Sequence, residues 1–313
     1  MLELKGVSFS YNDQSVIDNI SFFLPKGQHM SLIGESGSGK STLLKLIYGL
    51  YDLNEGTISC NGKPVLGPKF NLIPGESYIK FLAQDFGLMP FTTTAENVGT
   101  FLSNIYKEKK NKRIMELLDL VDMADYAEVK VKNLSGGQQQ RTALAMVLAH
   151  EPQLLLLDEP FSQTDTFRTN RLRRNLFEYL KEKQITCITA THDPSDVLSF
   201  SDHVIVMREG KLIASSTPET LYKNPPDKYT ASLFGDINEI PLHYLTEKNA
   251  SGIRFVYPHE LITVSQSPLK AIVKNSYFKG SHYLIEAEYS EGNLFFEIPE
   301  QILKGVIVFL AVK

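Results

Sequence analysis

Cysteine is scarce: Cys60 and Cys187 are the only two in 313 residues. Two unpatterned cysteines suit a reducing compartment and exclude a disulfide framework. Cys187 lies in ITCITA, an apolar β-like run, and is expected as a buried small hydrophobe. No apolar run approaches the roughly 18 residues of a membrane-spanning helix. The first residues, MLELKGVSFS, lack a charged-then-apolar leader. The expectation is a chain kept in the cytoplasm, reaching a membrane only through a partner. Charge of neither sign dominates. With 32 basic and 36 acidic residues the net charge is −4, which offers no electrostatic footprint for nucleic acid. Low-complexity segments and long internal repeats are also missing.

What is present is ordinary in bulk. Apolar residues make up 42 % and charged residues 22 %, enough for a full core. The length is comfortable for two domains. Residues 1–33 alternate as antiparallel strands do, in LELKGVSFSY, QSVIDNISFFLP and QHMSLIG. STLLKLIYGL (41–50) is helical, and 51–84 mixes strand and turn. From about 92 to 150 the pattern is mainly helical, with the charge run KEKKNKR as a solvated face. QLLLL (153–157) and ITCITAT (185–191) read as buried strands around a charged helix at 166–183. DHVIVMREGKLIA reads as a hairpin turning at Glu209-Gly210. Pro225-Pro226 breaks the pattern, and from about 240 short β-rich segments recur, as in a small all-β barrel or sandwich.

Two motifs carry chemistry. GESGSGKS, from Gly34 through Glu35, Ser36, Gly37, Ser38, Gly39 and Lys40 to Ser41, fits G-x-x-x-x-G-K-[ST]. It follows the strand MSLI and opens the helix that begins with Thr42, as the motif requires. Its glycines let successive backbone N–H groups surround phosphate oxygens, and the helix start adds its positive dipole end. Lys40 would neutralise the β- and γ-phosphates of a nucleotide, and Ser41 would ligate Mg²⁺. In LLLLDEP (154–160) a buried strand delivers Asp158 to its carboxyl end, where α/β sheets place ligands. Asp158 would hold the Mg²⁺ shell. Glu159 would orient or deprotonate a water attacking the γ-phosphate.

Between them lies LSGGQQQR (134–141), with two bare glycines ahead of a helical run. Ser135 is an N-cap-type hydroxyl, and Gly136 and Gly137 leave N–H groups unshielded. A chain carrying both motifs and this one resembles the ATP-binding cassette ATPases, whose signature sequence is LSGGQ. The resemblance implies an α/β P-loop ATPase with a mixed core sheet, an antiparallel β subdomain and a helical subdomain at about 85–150. It implies a head-to-tail homodimer in which Ser135, Gly136, Gly137 and Gln138 cover the partner's ATP. It further implies that Tyr11 stacks on adenine. Gln84 would contact Mg²⁺ or the lytic water, and His192 would contact the γ-phosphate. Asp165 would lie in a loop crossing to the other protomer, although Thr164 replaces the family's usual apolar residue there.

Core resemblance covers about residues 1–225, with 226–239 expected as a linker. The tail, 240–313, resembles the OB-like TOBE domain of importer ATPases for sugars, polyamines, sulfate and ferric iron. That implies an importer subunit on the cytoplasmic face of the membrane, two transmembrane permease subunits and an extracytoplasmic substrate-binding protein. A soluble clamp without a membrane partner, and an exporter or lipid-handling ATPase, remain the alternatives. The stretch from Gly56 to Gln84 is longer than the sugar and iron importer pattern, and Phe91 replaces a common His. No substrate follows from the sequence.

Overall fold

The structure is a computed structural model, which describes residues 1–83, 85–163, 166–245 and 251–313. It divides into two compact units, Met1–Pro218 and Glu219–Lys313.

The first unit runs β1 (Leu2–Tyr11), β2 (Gln14–Leu24), β3 (His29–Ile33), α1 (Lys40–Tyr48), β4 (Glu55–Cys60), β5 (Lys63–Pro64) and β6 (Ile79–Leu82). Then come α2 (Thr94–Val98), α3 (Lys107–Leu120), α4 (Gly136–Leu148), β7 (Leu154–Asp158), α5 (Thr166–Glu182), β8 (Thr186–Ala190), α6 (Pro194–Phe200), β9 (His203–Arg208) and β10 (Lys211–Ser216). β2, β1, β4 and β5 form an antiparallel sheet in that order. A second sheet runs β10-β9-β3-β8-β7-β6, parallel except for the β9–β10 hairpin. That hairpin turns at Glu209 and Gly210, both at positive φ, as the sequence suggests.

One strand departs from expectation. His29–Ile33, read with the antiparallel strands before it, sits parallel between β8 and β9. All five of its residues are buried, and a strand covered on both faces belongs to a parallel core. The alternation of β1 and β2 marks a sheet with one wet face, and that pattern stops at Leu24.

α1 packs between the two sheets, its Leu43, Leu44, Leu46 and Ile47 joining Leu2, Leu4, Ile17 and Leu32 in one core. A second core gathers the helical part. Leu117 and Leu118 of α3, Leu144 and Leu148 of α4 and Leu176 of α5 meet Leu155 and Leu157 of β7. The alternate leucines of β7 therefore face different cores, with Leu154 and Leu156 turned to the first.

In the second unit α7 (Pro218–Lys223) begins at the boundary, followed by α8 (Lys228–Ser232), β11 (Asn238–Pro241), β12 (Ile253–Val256) and β13 (Leu261–Val264). β14 (Leu269–Phe278), β15 (Tyr283–Tyr289), β16 (Gly292–Ile298) and β17 (Ile307–Val312) complete it. An antiparallel sheet, β13-β17-β14-β15-β16, closes over Val273, Ile285, Phe296 and Leu310, beside a β11–β12 ladder. Residues 226–239, expected as a linker, carry α8 and the start of β11 and belong to this unit.

Candidate functional site

The parallel register brings the chemistry together. Leu32 pairs with Ala190 and Asp158 pairs with the same Ala190, so β3, β7 and β8 end level with one another. The loop after β3 is GESGSGKS, the residue after β7 is Glu159, and Thr191-His192 follow β8.

The glycine loop has the backbone its sequence demands. Gly39 caps α1 at φ 100°, in the left-handed region, and a Cβ there would lie 2.9 Å from both Ile17 Cδ1 and Val16 O. A Cβ at Gly34 would lie 2.2 Å from the Met207 carbonyl oxygen. Lys40 is buried, and its ammonium donates to the carbonyls of Gly34 at 2.7 Å and Glu35 at 2.8 Å, and to Ser38 Oγ at 3.3 Å. Burial holds its pKa below the usual lysine range, against the pull of Glu159 and Asp158. Glu35, Ser36 and Gly37 are exposed at the loop tip, while Ser38 and Gly39 are buried. Ser41 and Thr42 occupy the first turn of α1, half-buried.

Ser41 Oγ donates to Asp158 Oδ1 at 2.9 Å, across 117 residues of chain. Asp158 is buried, and burial raises its pKa while the Ser41 bond works against the rise. One hydroxyl and one carboxylate fit Mg²⁺, which keeps several waters and takes its other ligands from substrate phosphates. Among the described residues no cluster of three or more His, Cys, Asp or Glu could cage a metal.

Glu159 stands at φ 51°, a left-handed conformation that costs a non-glycine residue about 1–3 kcal/mol. Four hydrogen bonds hold it there, one of them from the Ser162 N–H to its carbonyl at 3.3 Å. Its N–H donates to Ala190 O at 2.9 Å, and its carbonyl accepts from Gln140 Nε2 at 2.9 Å and from Ser162 Oγ at 3.1 Å. The strained backbone turns the carboxylate toward His192, whose Nδ1 lies 2.9 Å from Oε1 and 2.8 Å from Oε2. Phe86, Gln140, Glu159, Ser162, Gln163 and His192 line a cavity of about 340 Å³.

The signature segment forms a separate helix start. Ser135 caps α4 by accepting from the Gln138 N–H at 3.3 Å, and the Gln138 carboxamide oxygen accepts from the Ser135 N–H at 2.8 Å. Ser135 and Gly136 are exposed, and Gly137 is half-buried. A Cβ at Gly136 would meet Gln163 Oε1 at 2.6 Å. Tyr11 ends β1, edge-on to Phe9 at 4.8 Å and to Tyr51 at 5.4 Å, with 39 % of its surface exposed. Gln84, Thr164 and Asp165 lie outside the described residues.

Gln140 was not singled out by sequence reasoning. It is the third glutamine of QQQR and is almost fully buried. Besides the Glu159 carbonyl, it accepts the Gln163 N–H at 3.1 Å, tying the signature helix to the loop after β7. Its one readable signal was position. It falls one turn beyond Gly136 and Gly137, on the face that α4 turns to the core.

A strand, glycine loop and helix facing a buried carboxylate and an adjacent glutamate define a P-loop nucleotide-binding module. Comparison with known proteins extends this. The ABC transporter profile matches residues 17–162. The Fe(3+) ions import ATP-binding protein FbpC 2 of Pectobacterium atrosepticum is 38 % identical over 237 residues, 75 % of this chain and 68 % of that protein. FbpC of Serratia marcescens is 40 % identical over 236 residues, 75 % and 68 % of the respective chains. Among solved structures, a dimeric, post-hydrolysis ATP-binding cassette bound to ADP and Pi superposes with a TM-score of 0.60 at 27 % identity. It covers 70 % of this chain and 99 % of that one. CbiO1 of Clostridium perfringens, part of the ABC transporter complex cbiONQ, gives 0.62 at 28 % identity, over 71 % and 90 %. The chain belongs to the ABC transporter family.

Proposed function

We propose that this chain is the ATP-hydrolysing subunit of an ABC importer, working as a head-to-tail homodimer on two permease subunits at the cytoplasmic face of a membrane. The observation that carries the reading is the convergence of Lys40, Ser41, Asp158, Glu159 and His192 at the level ends of β3, β7 and β8.

The backbone N–H groups of residues 35–41 cradle the β- and γ-phosphates, and Lys40 exchanges its bonds to the loop carbonyls for phosphate oxygens. Ser41 and Asp158 would hold Mg²⁺, which neutralises charge developing on the phosphates when bound. Tyr11 stacks on the adenine. Glu159 takes a proton from water as its oxygen bonds to the γ-phosphorus and the bond to the β-phosphate oxygen breaks. His192 steadies the γ-phosphate and the carboxylate. By the family resemblance, Gln84 would contact Mg²⁺ or that water. Ser135, Gly136, Gly137 and Gln138 close over the partner's nucleotide, so two ATP molecules complete the dimer interface.

Among the described residues no helix is long and apolar enough to cross a membrane, so coupling to transport needs membrane partners. Exposed Phe91, Phe101 and Ile105 on the helical part favour docking to such a partner. The second unit supplies a TOBE-like β domain. The permease and an extracytoplasmic binding protein would set the cargo, and Fe(3+), carried in the relatives' names, is the first to assay.

A tagged Glu159→Gln chain, pulled down from native membranes with MgATP, tests this. Multi-spanning subunits in the pull-down support the importer. A soluble partner, or an intact dimer alone, refutes it in favour of a soluble clamp.

A further inference from the structure

Beneath the contact between His192 and Glu159 lies an ionic cluster with no part in phosphate binding or proton transfer. Its centre is Arg173 on α5, 8 % exposed. Nη2 donates to Asp193 Oδ2 at 2.5 Å, and Nε lies 2.5 Å from Asp196 Oδ1 as an ion pair without hydrogen-bond alignment. Nη1 reaches Asn170 Oδ1 at 3.4 Å. The guanidinium also stacks over Phe161, 5.3 Å from the ring centre. Burial pushes the Asp196 carboxyl up to about 6, and the Arg173 charge pulls against that rise.

The anchors fall on the loops that carry the chemistry. Asp193 follows His192 and Phe161 lies two residues past Glu159. Thr191, which precedes His192, is locked into the same cluster. Its hydroxyl donates to Asp196 Oδ2 at 3.1 Å and accepts from the Asp193 N–H at 3.0 Å. The His192 side chain itself is 72 % exposed, so packing restrains its ring little. What is held is the backbone on either side of it.

We propose that Arg173 is a positioning residue for hydrolysis: by gripping Asp193 and Asp196 with its fork and Phe161 with its face, it sets the register between His192 and Glu159. The inference rests on those two residues supporting hydrolysis. A lysine could match the charge but not the fork or the stacking face. A misplacement of about 1 Å at such a pair costs up to about 100-fold in rate.

The test uses the full chain, comparing Arg173→Met, Arg173→Lys, His192→Ala and the His192→Ala/Arg173→Met double variant. Steady-state ATP turnover and equilibrium ATP binding are read for each. Arg173→Met should lower kcat about 10- to 100-fold and leave the ATP Kd within about twofold, because it acts on register and not on the phosphate cradle. Arg173→Lys should recover little of the loss. On the His192→Ala background the Met substitution should cost several-fold less than on the wild type, since no register between His192 and Glu159 remains to be set. Wild-type kcat in Arg173→Met, or a full additional loss in the double variant, overturns the proposal. Full turnover in His192→Ala alone would instead remove the underlying reading of the site, and the positioning role with it. Should Arg173→Met fail to fold, Asp193→Asn keeps the guanidinium on Asp196 and Phe161 while removing one anchor. It should then show the same split between kcat and Kd, and an unchanged kcat there refutes the idea.

Discussion

Replacing Gln140 with leucine isolates what the join between α4 and the loop after β7 contributes. The two side chains are close in volume, and the site is almost fully buried, so packing changes little. What changes is hydrogen bonding. The Gln163 N–H, 3.1 Å from Gln140 Oε1, loses its acceptor. The Glu159 carbonyl loses one of three donors but keeps Ser162 Oγ at 3.1 Å and the Ser162 N–H at 3.3 Å. The Gln163 N–H is only part-buried and the carbonyl stays bonded, so the loss is about 1 kcal/mol, the low end for a stranded amide. For a unit of this size that lowers Tm by about 2–4 °C. It also removes one of the bonds that keep Glu159 at φ 51°, so turnover should fall several-fold beyond any loss of folded protein. Urea unfolding followed by circular dichroism, with ATP turnover measured well below the transition, separates the effects. An unchanged midpoint and unchanged turnover would show that the join carries neither stability nor geometry, and the reasoning would fail.

Other outcomes can be stated more briefly. Glu159→Gln should keep ATP affinity and lose about 100-fold or more of turnover, as removal of a general base does. Single-turnover hydrolysis at the wild-type rate would rule out that assignment. Lys40→Ala removes the cation proposed to face the phosphates and should weaken equilibrium ATP binding at least tenfold, about 1.4 kcal/mol. Calorimetric titration checks it, and an unchanged Kd would count against the cradle. Cys60 and Cys187 are both buried, with thiols pushed up to about 11 and about 12. Since each folded pKa is raised, their thiols stay protonated and their share of stability is intact below about pH 9, then is lost as pH rises through 11 to 12. Iodoacetamide at pH 8 should therefore leave both unlabelled in the folded chain and label both in urea; rapid labelling of the folded chain would contradict the burial.

How much was legible differs by feature. GESGSGKS and LLLLDEP could be read directly because each motif is one continuous stretch of chain. Consecutive residues supply the backbone amides, the lysine and the hydroxyl, and the flanking strand and helix are written in the same stretch of chain. LSGGQQQR was legible for a similar reason, as a capping hydroxyl and two glycines must stand in a row at a helix start. The tail's strands and the turn at Glu209-Gly210 followed from local alternation and turn chemistry.

Only the tertiary structure decided that His29–Ile33 is a central parallel strand, because its neighbours β8 and β9 come from more than 150 residues further along. It alone revealed Gln140 and Arg173. Each acts through partners 12 to 23 residues away, on other elements, and a glutamine or arginine on a helix carries no mark of which loop it will meet. Local sequence determined which chemistry the chain can do. The register of β3, β7 and β8, a long-range pairing, decided that Lys40, Asp158 and His192 would do it in one place.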